Sequence, residues 1–323
     1  MSKKEALLRK VGHMSQVAYA RNIVYCDGRA SNLSAILVKN GPLQFIVAKD
    51  KCLDIIELSY KGENVNFISK PGLQGLSHYD TNNEEAQRSI MGGMFFTCGL
   101  DNVGPNVKDY PIHGRIRSTP AENVSINCSW DNDEYIIKIS GEMRQAMLFG
   151  ENFLLKRTIE TTYGKSTIKI HDEIINESFK IQPLMVLYHF NIGYPLLSES
   201  SKISINSESV YPRDSISSKG IDMFLKIDEP SDNKVEEVFY HNLNEEVCFA
   251  RIQNKTIGFE IKFLKSQLPF FTQWKSMASG DYVMGFEPGN CHVEGVIKEA
   301  ENKTLESISP MHSKHINLDI NLF

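Results

Sequence analysis

From about residue 22 onward, apolar and polar positions alternate in short runs: AILVKN, LQFIVAK, YIIKIS, TIKIHDEIIN, KISINSE, VCFARIQ and TIGFEIKFL. A period of two puts successive side chains on opposite faces of an extended chain, so each run predicts a β-strand. Turn-forming pairs such as Asn40-Gly41, Lys61-Gly62, Asp131-Asn132, Tyr163-Gly164 and Asp232-Asn233 punctuate them. Residues 135–178 read as a meander of consecutive antiparallel strands. Residues 3–20 follow a different rhythm. Leu7, Leu8, Val11, Met14, Val17 and Ala18 recur near helical spacing, with Lys and Arg between them, which predicts one N-terminal helix packed across a sheet edge. Strand signals continue to residue 321 with no Pro-, Gly- or Ser-rich linker and no repeat. The expectation is a helical extension over 1–24 and one all-β domain over 25–323, a large antiparallel β-sandwich. The acidic stretch 228–237 (DEPSDNKVEE) is expected as an exposed loop.

Composition narrows the function. Hydrophobic residues make up 41% of the 323 and charged residues 23%, enough for a large core. The 35 Lys+Arg and 40 Asp+Glu give a net charge of −5, without the basic excess of a nucleic-acid or anionic-membrane binder. No apolar run approaches the ~18–20 residues that span a bilayer. The N-terminus has charges where a signal peptide needs an apolar stretch, so a cytoplasmic location is expected. The six cysteines (Cys26, Cys52, Cys98, Cys128, Cys248, Cys291) lack metal-finger or CxxC spacing and read as small hydrophobes, not as disulfides.

Polar residues embedded in apolar or Gly-rich segments carry the candidate chemistry, because burying them needs a partner or a purpose. In GGMFFTCGLDNVGP (92–105) and the following HGR, Asp101, Asn102, His113 and Arg115 could project into one cavity, or form a loop held by Asx turns. The glycines do not have dinucleotide-site spacing. In PLMVLYHFNIGYP (183–195), His189 and Asn191 share a strand face; a hydrogen-bonded core histidine is the plain alternative. His241 ends the aromatic strand VFYHNL. In LPFFTQWKSMASGDYVMGFEPGNC (268–291), Gln273 and Lys275 share one face and Trp274 takes the other. Glu287 closes an apolar strand, where desolvation would raise its pKa toward that of a general base working near neutrality; a solvent-facing strand end is the alternative. His113, His189, His241 and Glu287 could also ligate a metal, but no HExxH or HxH spacing supports one.

The ordered set GGMFFTCGLDNVGP, HGR, YHFNIGYP, VFYH, LPFFTQWK and GFEPGNC resembles the aldose 1-epimerase (galactose mutarotase)-like superfamily over roughly residues 25–320. The similarity is greatest to a branch of aldose 1-epimerase family proteins set apart from the well-known galactose mutarotases. It implies a β-supersandwich with a sugar cleft on one concave sheet, and anomer interconversion of a sugar without metal or organic cofactor. It also implies catalytic roles for Glu287 as base, His189 as acid to the ring oxygen and His113 as a polarising group, with the carboxylate and imidazole on opposite sides of the ring. Arg115, Asn191, Gln273, Lys275 and Asn102 would bind hydroxyls. Trp274, Tyr188 and Phe190 would offer apolar faces, with Trp274 reaching the sugar alongside Gln273 only if the strand is bulged. His241 stands where those enzymes have a hydroxyl-binding aspartate. Arg115 and Lys275 suggest an anionic or strongly polar substrate. Two alternatives stay open: a sugar isomerase or epimerase on the same scaffold, with or without a metal, and a non-catalytic carbohydrate-binding protein. The expected partner is a small sugar or sugar derivative, with no nucleic acid or membrane; the sequence leaves room for a homodimer.

Overall fold

The computed structural model describes residues 1–76 and 83–323. Its largest sheet has eight strands in the order Lys202–Ile205, Val247–Gln253, Gly258–Leu264, Ser313–Leu322, Thr167–Asn176, Asn152–Thr162, Glu134–Ala146 and Glu122–Asp131. The meander supplies the last stretch of this order. In Thr167–Asn176, for example, the alternation turns Ile168, Ile170 and Ile174 into the core and Lys169, His171 and Glu173 outward.

A second sheet packs across it in the order Ser207–Pro212, Glu237–Leu243, Phe270–Ala278, Asp281–Gly289, Gln182–Ile192 and Glu306–Ile308; Phe95–Leu100 also pairs with Gln182–Ile192. One face of this sheet sends Phe190 onto Phe259 and Phe271 onto Phe263 of the eight-stranded sheet. A third, five-stranded sheet runs from Tyr19–Val24 through Ser34–Lys39, Leu43–Ala48 and Asp54–Tyr60 to Glu63–Asn64. The strands pair antiparallel throughout these sheets, as the alternation predicts.

The N-terminal expectation needs correction. The α-helix covers only Lys3–Leu8, with the Ser2 hydroxyl accepting from the Glu5 N–H, and Tyr19–Val24 is already a strand paired with Ser34–Lys39. The apolar spacing persists without the helix: Val11, Met14 and Ala18 are buried as anchors along an irregular segment that passes Gly12. The Lys3 and Lys4 N–H groups donate to the Asp133 carboxylate, which docks the helix against the hairpin at the sheet edge.

Between the three sheets lies a charged network. Arg157 is fully buried and pairs with Asp172 at 2.6 Å and with Asp54 at 2.7 Å. It also donates to Thr97 Oγ1 and to the Cys52 carbonyl, while the Tyr188 hydroxyl donates to Asp172. One guanidinium therefore ties strands of all three sheets. With two carboxyl groups facing one cation, burial pushes Asp54 up to about 6 against the pull of Arg157 and Thr97. Four of the cysteines are buried, Cys128 is half-buried and Cys26 is exposed; all six are free thiols. Among the described residues no helix is long and apolar enough to cross a membrane.

Candidate active site

The second sheet's outer face floors an open cleft of about 800 Å³, within the range of small-molecule sites. The strand register builds that floor. Phe190 pairs with Phe286, so the preceding and following positions, His189 and Glu287, are cross-strand neighbours on the opposite face. His189 Nε2 lies 3.1 Å from Glu287 Oε1, with both side chains almost fully buried. The contact is out of line for a hydrogen bond, and Glu287 Oε1 and His189 Nδ1 have no hydrogen-bond partner.

Aromatic rings clamp the imidazole. Phe96, its cross-strand partner, stacks on it at 4.7 Å and 16°, and Trp274 approaches edge-on at 5.4 Å. His113 meets His189 edge-on at 5.8 Å from a loop rather than a strand. Its backbone N–H donates to Gly104 and its carbonyl accepts from Gly99, at a φ of 57°. The next residue, Gly114, lies so close to the Gly99 and Asn102 carbonyls that a Cβ there would collide with backbone. Asn191 lines the cleft beside His189 and donates to the Gly93 and His189 carbonyls.

Burial controls the charges. Desolvation, reinforced by Glu236 and opposed by Arg213, raises Glu287 well above the usual carboxyl range. Desolvation and the neighbouring His113 hold His189 well below the usual imidazole range, and desolvation with Arg117 pushes His113 down to about 3. Burial therefore favours the protonated carboxyl and the neutral imidazoles. His113 Nδ1 and Thr272 Oγ1 are also buried without a hydrogen-bond partner. An unmade buried hydrogen bond costs roughly 1–3 kcal/mol.

Glu287, His189, His113, Asn191 and Trp274 therefore share the cleft. The strand carrying Trp274 is regular through this stretch, and parity alone places it there. The same parity turns Gln273 and Lys275 inward, which corrects their expected role. Gln273 Oε1 contacts His241 Nε2 at 3.1 Å, and its amide donates to the Phe224 carbonyl. Lys275 is buried against the Met223 carbonyl and the Glu237 carboxylate. His241 packs on Phe271, and desolvation pushes its pKa down to about 4. Tyr188 and Phe190 are likewise interior.

Arg115 and Asn102 are corrected too. Arg115 pairs with Asp101 and donates to the Asp109 carbonyl, off the cleft lining. Asn102 is a loop strut, donating to the Pro105 and Pro111 carbonyls and accepting from Val296 N–H. With His241 on the far face, the four-ligand metal set cannot assemble; among the described residues no three His, Cys, Asp or Glu converge as a metal site.

Sequence reasoning missed the charged wall. Glu236 accepts from Trp274 Nε1 at 2.7 Å and from Arg213, and Glu294 accepts from the Tyr240 hydroxyl; Lys234 lines the same wall. Glu236 sits in the acidic stretch expected as an exposed loop. Only its even spacing from Val238 and Tyr240 could have pointed to the cleft face.

Residues 30–322 match the family model described as "Domain of unknown function (DUF4432)". No curated protein matches the sequence. A protein from Klebsiella pneumoniae described as a "putative aldose 1-epimerase" superposes with a TM-score of 0.88 at 20% identity, over 95% of this chain and 88% of that one. A galactose mutarotase-like protein from Clostridium acetobutylicum superposes with a TM-score of 0.64 at 14% identity, over 95% and 99% of the two chains. A galactose mutarotase-like protein from Lactobacillus casei gives 0.56 at 14% identity, over 90% and 100%. At these identities the likeness establishes the shared fold.

Proposed function

Since the chain belongs to the DUF4432 family and has the galactose mutarotase-like fold, we propose that it is a sugar isomerase of the aldose 1-epimerase type, with Glu287 and His189 as its acid–base pair. The observation that carries this reading is the 3.1 Å approach of two unpartnered, buried, titratable groups on the floor of a cleft.

Opening a cyclic hemiacetal takes a proton from the anomeric hydroxyl and delivers one to the ring oxygen. Both oxygens sit on the same carbon, so the acid and base need not lie on opposite sides of the ring; side-by-side groups serve both. The neutral pair (Glu–H, His) and the ion pair (Glu⁻, His–H⁺) hold the same single proton, and that proton defines the pair's state. From the neutral pair the single proton first passes from Glu287 to His189; in the resulting ion pair Glu287 takes the hydroxyl proton and His189 protonates the ring oxygen, which leaves the open aldehyde and the neutral pair. Rotation about C1–C2 and the reverse transfers close the other anomer and restore the starting state. His113 polarises the sugar, and Trp274 and Asn191 bind it. Glu236 and Glu294, already held by their donors, take over hydroxyl binding from the inward-turned Gln273, Lys275 and His241, accepting from the sugar's O–H groups.

A pH profile tests the shared proton. An ordinary Glu and His would titrate near 4.5 and 6.5. Here desolvation raises the carboxyl well above the lower value and holds the imidazole well below the upper, so neither group titrates at its ordinary position. The catalysed rate of anomer exchange is expected to run without a break through pH 4.5 and through pH 6.5. Inflections centred on those two values would show an ordinary carboxyl and an ordinary imidazole titrating independently. Binding is checked separately by thermal shift: a sugar that stabilises the protein by mass action should do so far less in Trp274→Ala.

A further inference from the structure

The hairpin joining Glu134–Ala146 to Asn152–Thr162 turns through Met147-Leu148-Phe149-Gly150, where tips ordinarily carry Asn, Asp or Gly. Phe149 adopts a φ of 64° there, an uncommon conformation for an aromatic residue. Next to this tip, the turn after Thr167–Asn176 presents Phe179 and Ile181, and the loop before Ser313–Leu322 presents Met311. The three tips adjoin because Ala146 pairs with Asn152, Phe153 with Asn176, and Ile175 with Ser313.

These side chains are 56–95% exposed. At roughly 200 Å² for a large side chain, they leave on the order of 800 Å² of apolar surface, more than a monomer ordinarily shows and about what each partner gives to a stable interface. The surface is also rigid. Buried Asn176 accepts from Met311 N–H through its carbonyl, and its side chain donates to the Lys180 and Ile308 carbonyls. The rim carries both signs: exposed Lys180, half-buried Glu151 and the Arg144–Glu177 pair. A two-fold axis can oppose such a rim to itself, cation to carboxylate, whereas a single-sign field would repel its own copy.

We propose that this end of the eight-stranded sheet docks a second copy of the chain, giving a two-fold dimer. The proposal does not depend on the reaction assigned to the cleft, which lies on a different sheet. The test is sedimentation of the full chain across micromolar concentrations, alongside Phe149→Asp/Phe179→Asp and, as a second variant, Leu148→Lys/Ile181→Lys. The wild type is expected to sediment as a dimer. Both variants should be folded monomers with self-association weakened at least a hundredfold and cleft activity per chain unchanged. A wild type that stays monomeric overturns the proposal, as do variants that still dimerise. A monomeric wild type that floats with phosphatidylcholine vesicles overturns it in favour of a membrane surface.

Discussion

Glu287→Gln is expected to slow anomer interconversion by roughly 10²–10⁴-fold, the contribution of one positioned acid or base, without weakening the fold. The side chain is buried and the substitution keeps its shape, so sugar binding should change little and the loss should fall on kcat. The stability effect has a definite sign. In the unfolded chain Glu287 loses its proton near 4.5, whereas the folded protein retains it well above that value because of desolvation. The folded state therefore binds more protons over that range, and stability declines as pH rises through it. Glutamine has no proton to lose. The variant's Tm should match the wild type's near pH 4.5 and exceed it at pH 8. A variant less stable than wild type at pH 8 would show that the carboxyl is ionised and satisfied in the folded protein.

Arg157→Met should have the largest effect on stability. It leaves Asp54 and Asp172 facing each other in the interior and strips Thr97 of a donor. Breaking a buried ion pair from one side costs about 3–5 kcal/mol, a large share of the 5–15 kcal/mol typical of a folded protein. Denaturant unfolding at pH 7 measures this loss. It should shrink as pH falls, because Asp54, already raised by burial and now without the pull of Arg157, holds its proton more tightly in the folded variant than in the unfolded chain, where an aspartate titrates near 3.8. Adding Asp54→Asn and Asp172→Asn to the variant should recover much of the stability. A single-variant loss below about 1 kcal/mol would mean that this network does not join the sheets energetically.

The same contrast between the two sheets explains what the sequence made legible. In the eight-stranded sheet one face meets solvent, so alternation named the strands and their buried rows with little ambiguity. The sheet that bears the cleft has one face in the interior and the other at the cleft floor, and Gln182–Ile192 is buried along almost its whole length. Parity there sorts residues into two sets but does not say which set faces the cleft. His189 and Asn191 were paired correctly on that basis, while Gln273 and Lys275 fell on the interior side and Trp274 on the open one. His241 followed Phe271 inward for the same reason.

Loop residues were harder still. His113 reaches the cleft only through a left-handed backbone and the close approach at Gly114, neither of which has a period. Arg157 lies in FLLKRTIETT, where a charged residue reads as part of a solvent-facing row, and nothing local reveals the two aspartates that receive it. At the N-terminus, helical spacing of Val11, Met14 and Ala18 marked their burial correctly but not the conformation that achieves it.

The central claim is that Glu287 and His189 move protons at an anomeric carbon. Magnetisation-exchange NMR measures this directly, by following α–β interconversion of free aldoses, ketoses and sugar acids with a catalytic amount of protein at neutral pH. The account predicts at least one sugar whose anomers exchange far faster with the wild type than in buffer, an enhancement that Glu287→Gln and His189→Ala each abolish. A sugar that binds in the cleft and exchanges no faster than in buffer, or an enhancement that survives both substitutions, would contradict it.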